Sequence, residues 1–211
     1  MKMPGDLLKL YAGLPAAQRF YVRARWLVNP VDAIENLVPA EGTVYDIGCG
    51  AGILSNIMAM RSDRRNVIGI DLSEEKIALA RSTVGARKNV QFRKADALNL
   101  VFDKPDTIVA CDLLHHIPSS GQEDFLKHIY EALGDGGLLL VQDIDKRPFH
   151  KYLFALGVDL ILNRMEKVYY LESGRLKDVL ERIGFSVEMK RLDKGYPIAA
   201  VSFICRKNKK V

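Results

Sequence analysis

The 211-residue sequence predicts an open α/β fold, a parallel sheet with helices packed on both faces. Three observations predict it. Strand-like and helix-like segments alternate between residues 41 and 145 with short breaks, the rhythm of successive strand–helix–strand units. A glycine-rich turn joins the first of these strands to the first of these helices. The run Gly137-Leu138-Leu139-Leu140-Val141 is apolar throughout, as a strand covered on both faces must be.

The elements follow in order. Residues 6–38 carry helical patterning ahead of the first strand and form an N-terminal cap within 1–40. Strands are expected at 43–47, 66–70, 90–93, 106–110 and 137–141, and helices at 53–60, 74–84 and 121–133. Ser73 reads as the N-cap of the second of these helices, with Glu74 and Glu75 in its first turn. These segments make a core over 41–145. The rhythm then changes. A mostly apolar stretch at 149–163 lies in an insert spanning 146–172. An amphipathic helix at 173–183 and strands at 185–189 and 198–205, within 173–211, complete a single domain over 1–211.

Composition narrows the function classes. At 48% hydrophobic and 27% charged the chain is an ordinary globular protein, not a disordered or fibrous one. Pro4, Gly5 and Asp6 break any leader pattern, and no apolar run approaches the ~20 residues of a membrane span. Cys49, Cys111 and Cys205 are sparse and odd in number, so neither a disulfide framework nor a paired-cysteine metal site is expected, and a cytoplasmic setting fits. The net charge of +5 is partly gathered in Arg206, Lys207, Lys209 and Lys210. This tail reads as solvated, with weak membrane-surface contact as a lesser reading. No basic patch with interleaved aromatics signals nucleic acid.

The sharpest motif is Asp46-Ile47-Gly48-Cys49-Gly50-Ala51-Gly52, directly after a strand and before a helix. Glycines let the backbone turn tightly and approach a ligand, and the helix N-terminus presents free N–H groups there. A dinucleotide fingerprint, GxGxxG, requires glycine where Ile53 stands; here the third glycine comes one residue early. Asp71, followed by Leu72, ends the second strand about 20 residues on, where a carboxylate accepts from ribose hydroxyls. Lys94-Ala95-Asp96-Ala97 follows the third strand, and Cys111-Asp112-Leu113-Leu114-His115-His116-Ile117-Pro118 follows the fourth. Leu133-Gly134-Asp135-Gly136-Gly137 precedes the fifth.

In that order, over about residues 40–145, these motifs resemble class I S-adenosylmethionine-dependent methyltransferases of the small-molecule type. The resemblance implies a Rossmann-like, seven-stranded, mostly parallel sheet of order 3-2-1-4-5-7-6 with the seventh strand antiparallel. It implies S-adenosylmethionine as cofactor and S-adenosylhomocysteine as product. Asp46, Gly48, Cys49, Gly50, Gly52, Asp71, Leu72, Asp96, Ala97, Cys111 and Asp112 would then line the cofactor site. Asp96 would hold the adenine amino group with a neighbouring backbone N–H on the ring, although aspartate also favours turns for its own sake.

Methyl transfer from a sulfonium needs positioning and exclusion of water, and a hydroxyl acceptor also needs a base. His115 and His116 are the candidates; adjacent on a loop, they point different ways, and a structural role competes with the catalytic one. Asp112, Asp143 and His116 could be imagined around a cation, but the set is not distinctive and no metal is expected. Acceptor recognition is expected from the cap (Tyr11, Arg19, Tyr21, Arg23, Arg25, Trp26) and the insert (His150, Tyr152, Arg164, Tyr169, Tyr170). Tyr21, Arg25, His150 and Tyr152 are the main candidates, and an arginine or tyrosine of the cap is a second partner for the cofactor carboxylate. The stretch 152–162 is apolar nearly all round and must be covered on most sides. It reads either as a helix packed on the core or as a lid over an apolar acceptor pocket. A small, apolar or aromatic acceptor methylated on oxygen is the favoured expectation. An RNA or protein methyltransferase, a nicotinamide oxidoreductase and a non-catalytic cofactor binder stand as alternatives.

Overall fold

A computed structural model describes residues 2–162 and 167–208, with the side chains of 159–162 outside that description. Five parallel strands form the sheet's body: β1 (Gly42–Ile47), β2 (Arg65–Asp71), β3 (Val90–Lys94), β4 (Thr107–Cys111) and β5 (Leu138–Ile144). The last two strands, β6 (Phe185–Arg191) and β7 (Ala200–Lys207), complete the order β3-β2-β1-β4-β5-β7-β6. β7 runs antiparallel to both β5 and β6. The seven-stranded order implied by the family resemblance is therefore the observed one.

Alternation along each strand divides the core. Val44, Val67 and Leu140 face one layer with α4 (Ile53–Arg61) and α5 (Glu74–Ser82); Tyr45, Ile68 and Leu139 face the other with α6 (Ser119–Ala132) and α8 (Ser173–Ile183). The cap, α1 (Gly5–Leu10), α2 (Ala16–Val28) and α3 (Val31–Glu35), packs in the first layer through Leu7, Val22, Trp26 and Ile34. Polar ties reinforce it: Tyr11 Oη donates to the Ala51 carbonyl (3.1 Å), and buried Glu35 takes Arg65 (2.5 Å).

Three boundaries differ from expectation for physical reasons. β5 runs three residues further, through Gln142 and Asp143, because antiparallel β7 pairs with it up to Ile144–Ala200. The α6 helix begins at Ser119 instead of 121, since Pro118 at φ −51° presets its first turn and Gly121 N–H closes on the Pro118 carbonyl. The tail is not simply solvated: Arg206 and Lys207 belong to β7, and Lys207 Nζ donates to the carbonyls of Tyr130 and Leu133. Lys209 and Lys210 lie outside the described residues.

The insert forms α7 (Phe149–Leu162), which starts at the carboxyl edge of the sheet. Its inner side meets the core at Ala155, but Phe149, Leu153 and Phe154 are exposed. In the described part of the stretch 152–162, expected to be covered on most sides, Leu153 and Phe154 are exposed and the other side chains are buried or partly buried. Among the described residues, no helix is long and apolar enough to cross a membrane.

Candidate functional site

A cavity of about 470 Å³ opens at the carboxyl ends of β1, β2 and β4, the edge where open α/β sheets bind ligands. Its floor is the glycine turn. Gly50 has φ +54°, and a Cβ built there would meet nothing within 4 Å, so the backbone faces open space. Gly50 N–H donates to Asp71 Oδ2 (2.9 Å), while Asp71 Oδ1 accepts from Ser73 N–H (2.8 Å). Ser73 in turn caps α5 as expected, accepting from Lys76 N–H. A carboxylate offers about four lone-pair sites. Two are used by the backbone, so Asp71 is fixed in place with acceptor capacity left for a pair of hydroxyls.

Beneath the turn, Asp46 is buried at the end of β1 and accepts from Ser55 Oγ (2.5 Å). Burial raises its pKa to about 6, against the Ser55 bond; the nearby Asp71 charge pushes the same way. At neutral pH it is still largely ionised. The Cys49 and Cys111 thiols both line the cavity, and burial pushes both well up, so they are neutral there.

The wall after β4 holds a backbone outlier. Asp112 has φ +49°, a left-handed conformation that aspartate tolerates better than most residues. Its N–H donates to the Gln142 carbonyl (3.0 Å), and Oδ2 accepts from Arg25 of α2 (3.0 Å). Asp112 Oδ1 and Gln142 Oε1 are buried acceptors with no hydrogen-bond donor among the described residues. At the other end Asp96 accepts from Leu98 N–H and Asn99 Nδ2, so its turn-forming role is real, and it still lines the cavity. Leu72 (68% exposed) and Leu98 (47%) border the mouth there, two apolar side chains suited to the faces of a flat ring.

Thirteen of the sequence-predicted residues line this cavity: Asp46, Gly48, Cys49, Gly50, Asp71, Leu72, Asp96, Ala97, Cys111, Asp112, His116, Tyr21 and Arg25. Four do not. Gly52 is turned away: a Cβ there would lie 2.7 Å from the Phe92 ring, so its absence lets α4 sit on the sheet. His115 is buried behind the wall. A 3-10 turn over Leu114–His116 leaves the two rings in tilted contact, centroids 4.4 Å apart, with His115 Nδ1 2.5 Å from Asp143 Oδ1 and its ring stacked on Tyr170. His150 is exposed on α7, and Tyr152 packs edge-on against Tyr170; neither reaches the cavity.

Other expectations resolve similarly. Tyr11 and Trp26 are core residues, and Tyr169 N–H donates to the His115 carbonyl; Arg164 lies outside the described residues. Of the acids imagined around a cation, Asp143 is engaged by His115 and Asp112 by Arg25. Among the described residues no group of three His, Cys, Asp or Glu could hold a metal ion. Sequence reasoning missed Asn29, Lys76, Leu98 and Gln142 in the lining. Only Gln142 carried a visible signal, an amide directly after the apolar run Leu138–Val141.

The residues therefore fit a nucleoside with a charged amino-acid end: a flat-ring border, a ribose-type carboxylate and a polar corner at Arg25, Asp112 and Gln142. Comparisons with known proteins agree with that chemistry. The ubiquinone biosynthesis O-methyltransferase of Pseudomonas syringae is 32% identical over 145 residues, 66% of this chain and 60% of that protein. The chain thus spans about 60% of the length of such relatives. An uncharacterized methyltransferase of Staphylococcus carnosus is 29% identical over 77% of this chain and 79% of its own. Among solved structures, a magnesium protoporphyrin IX methyltransferase from Synechocystis with bound SAH superposes with a TM-score of 0.68 at 20% identity, covering 96% of this chain and 93% of that one. A family model described as a methyltransferase domain matches residues 19–190, so the glycine turn, Asp71 and the β4 wall all fall inside it, and the chain belongs to that family.

Proposed function

We propose that the cavity binds S-adenosylmethionine and that the chain transfers a methyl group to a hydroxyl of a small apolar or aromatic acceptor. The observation that carries this reading is Asp71, locked by Gly50 and Ser73 N–H groups beside a glycine turn that leaves open space. In this reading Asp71 takes the ribose hydroxyls, and Asp96, Ala97, Leu72 and Leu98 hold the adenine. Arg25 faces the amino-acid carboxylate, with Asp112 Oδ1 and Gln142 Oε1 as acceptors for the ammonium group. When bound, the cofactor supplies a methyl already activated by a positive sulfur.

The protein's own task is then to hold the acceptor and manage its proton. His116 is the base: it lines the cavity on the wall beside Asp112 and can take a hydroxyl proton as the oxygen becomes nucleophilic. His115, paired with Asp143 and stacked on Tyr170, holds that wall from behind. Tyr21 and Ile117 supply apolar surface on the acceptor side, in keeping with small-molecule pockets. Oxygen as the receiving atom is supported by the relatives named for ubiquinone biosynthesis O-methylation. A cap over 1–40, a cofactor core over 41–145 and an insert over 146–172 fit this division of labour. The free thiols of Cys49, Cys111 and Cys205 support a reducing, cytoplasmic setting.

Mass spectrometry of the purified protein for a co-purifying S-adenosyl nucleoside, followed by calorimetry with S-adenosylmethionine and NADH, tests the cofactor. A screen of phenolic and aliphatic hydroxyl acceptors with methyl-labelled cofactor tests the reaction. Tight NADH binding without S-adenosylmethionine binding would refute the proposal.

A further inference from the structure

The first half of α7 presents an apolar face that nothing among the described residues covers. Phe149 is 65% exposed, Leu153 50% and Phe154 46%. At i, i+4 and i+5 they project from one side of the helix. The other side is anchored. Ala155 is buried, Tyr152 meets Tyr170 edge-on at 5.6 Å, and Lys151 Nζ donates to the Asp193 carbonyl (2.5 Å) and carboxylate (3.1 Å). The exposed side chains therefore stand on a seated helix.

The border of this face is basic. The Arg191 guanidinium donates to the Arg147 carbonyl (2.7 Å) and bridges Asp145 and Asp193, which brings the β6 end and the α7 start to one corner. The acids there are answered within the fold: Asp145 by Arg191, Asp193 by Arg191 and Lys151, Glu172 by Lys146 at 3.8 Å. Arg147 and Lys194 add positive charge with no ion pair among the described residues, and exposed His150 lies between Phe149 and Leu153 in sequence.

We infer that this face docks on the surface of a membrane containing anionic lipid. Phe149, Leu153 and Phe154 enter the acyl boundary, and Arg147 and Lys194 meet the phosphates. Charge complementarity favours lipid over a second copy of the chain. A two-fold interface would set this basic border against itself, and three side chains fall well short of the roughly 800 Å² per partner that a stable interface buries. The face starts at the sheet edge that carries the cavity. An apolar acceptor would dissolve in the same bilayer; that consequence rests on the proposed acceptor class, whereas the docking does not.

Co-sedimentation of the full chain with vesicles tests it without any activity measurement. The protein should pellet with phosphatidylcholine vesicles containing phosphatidylglycerol, not with phosphatidylcholine alone, and added salt should release it. Phe149→Ser/Phe154→Ser should weaken the partition about tenfold or more, and Arg147→Glu about fivefold. Melting temperature should hold, since the altered side chains are half-exposed; if the double variant melts early, Leu153→Gln carries the same test. Wild-type binding by these variants would overturn the inference. So would absence of vesicle binding by the wild type, whether sedimentation velocity then shows a monomer or a dimer that the double variant dissociates.

Discussion

Removing the Asp71 carboxylate strikes the most specific contact of the proposed cofactor site. The side chain has two jobs that must be separated. Its oxygens accept from Gly50 and Ser73 N–H, shaping the turn and the start of α5. Its remaining acceptor sites face the cavity. One charge-assisted hydrogen bond contributes about 1.5–3 kcal/mol, or tenfold to about 150-fold in affinity. Asp71→Ala should therefore weaken S-adenosylhomocysteine binding by at least tenfold in calorimetry, with the loss of turn bonds adding to it. A ligand pair isolates the ribose contribution. Wild type should prefer adenosine over 2′,3′-dideoxyadenosine, and Asp71→Ala should lose that preference even if both ligands bind less well, because the double comparison cancels the turn's contribution. Equal discrimination by wild type and variant would refute the ribose role and leave Asp71 as a scaffold residue.

Three further outcomes follow from the same geometry. His116→Ala should lower kcat for a hydroxyl acceptor while calorimetric cofactor affinity stays near wild type; unchanged turnover would make His116 structural. For Asp46, whose folded pKa lies near 6, the folded chain holds a proton between about pH 4 and 6 that the unfolded chain has lost. Stability from urea unfolding should thus fall as pH rises through that window, by at most about 3 kcal/mol, and Asp46→Asn should lack the slope. Gly52→Ala places a methyl 2.7 Å from Phe92 at φ +75°, so it should destabilise by about 2 kcal/mol or more, and Phe92→Leu in the same chain should recover part of the loss in thermal melts.

What could be read from the sequence was local. The turn and Asp71 were legible because a strand end, three glycines and a second strand end are fixed by covalent spacing, and β1 and β2 lie side by side. His115 and His116 were indistinguishable because the phase of one 3-10 turn decides which ring faces the cavity. For Gly52 the packing constraint was not legible, because it comes from Phe92, forty residues away in sequence and adjacent only once β3 joins the sheet. Asn29 and Gln142 were missed for the same reason: they reach the cavity from α2's end and from β5, and only the assembled fold brings them there. For α7, periodicity showed an apolar helix and implied a cover, whereas the described half of the helix leaves one face to the solvent.

The early third glycine and the charge of the cavity argue together against a dinucleotide. In a GxGxxG turn the third glycine serves close helix–strand packing. Gly52 does that job here one position sooner, so Ile53 opens α4 and its side chain stands in the cavity lining. The lining also carries four carboxylates, Asp46, Asp71, Asp96 and Asp112, against the cations of Arg25 and Lys76. Arg25 is committed to Asp112. A pyrophosphate brings two negative charges and would face this excess of acid at short range, where burial limits screening. A ligand with a sulfonium and an ammonium group brings positive charge to the same place and gains from it. The glycine turn alone is shared by both cofactor classes; the carboxylates around it are what select between them.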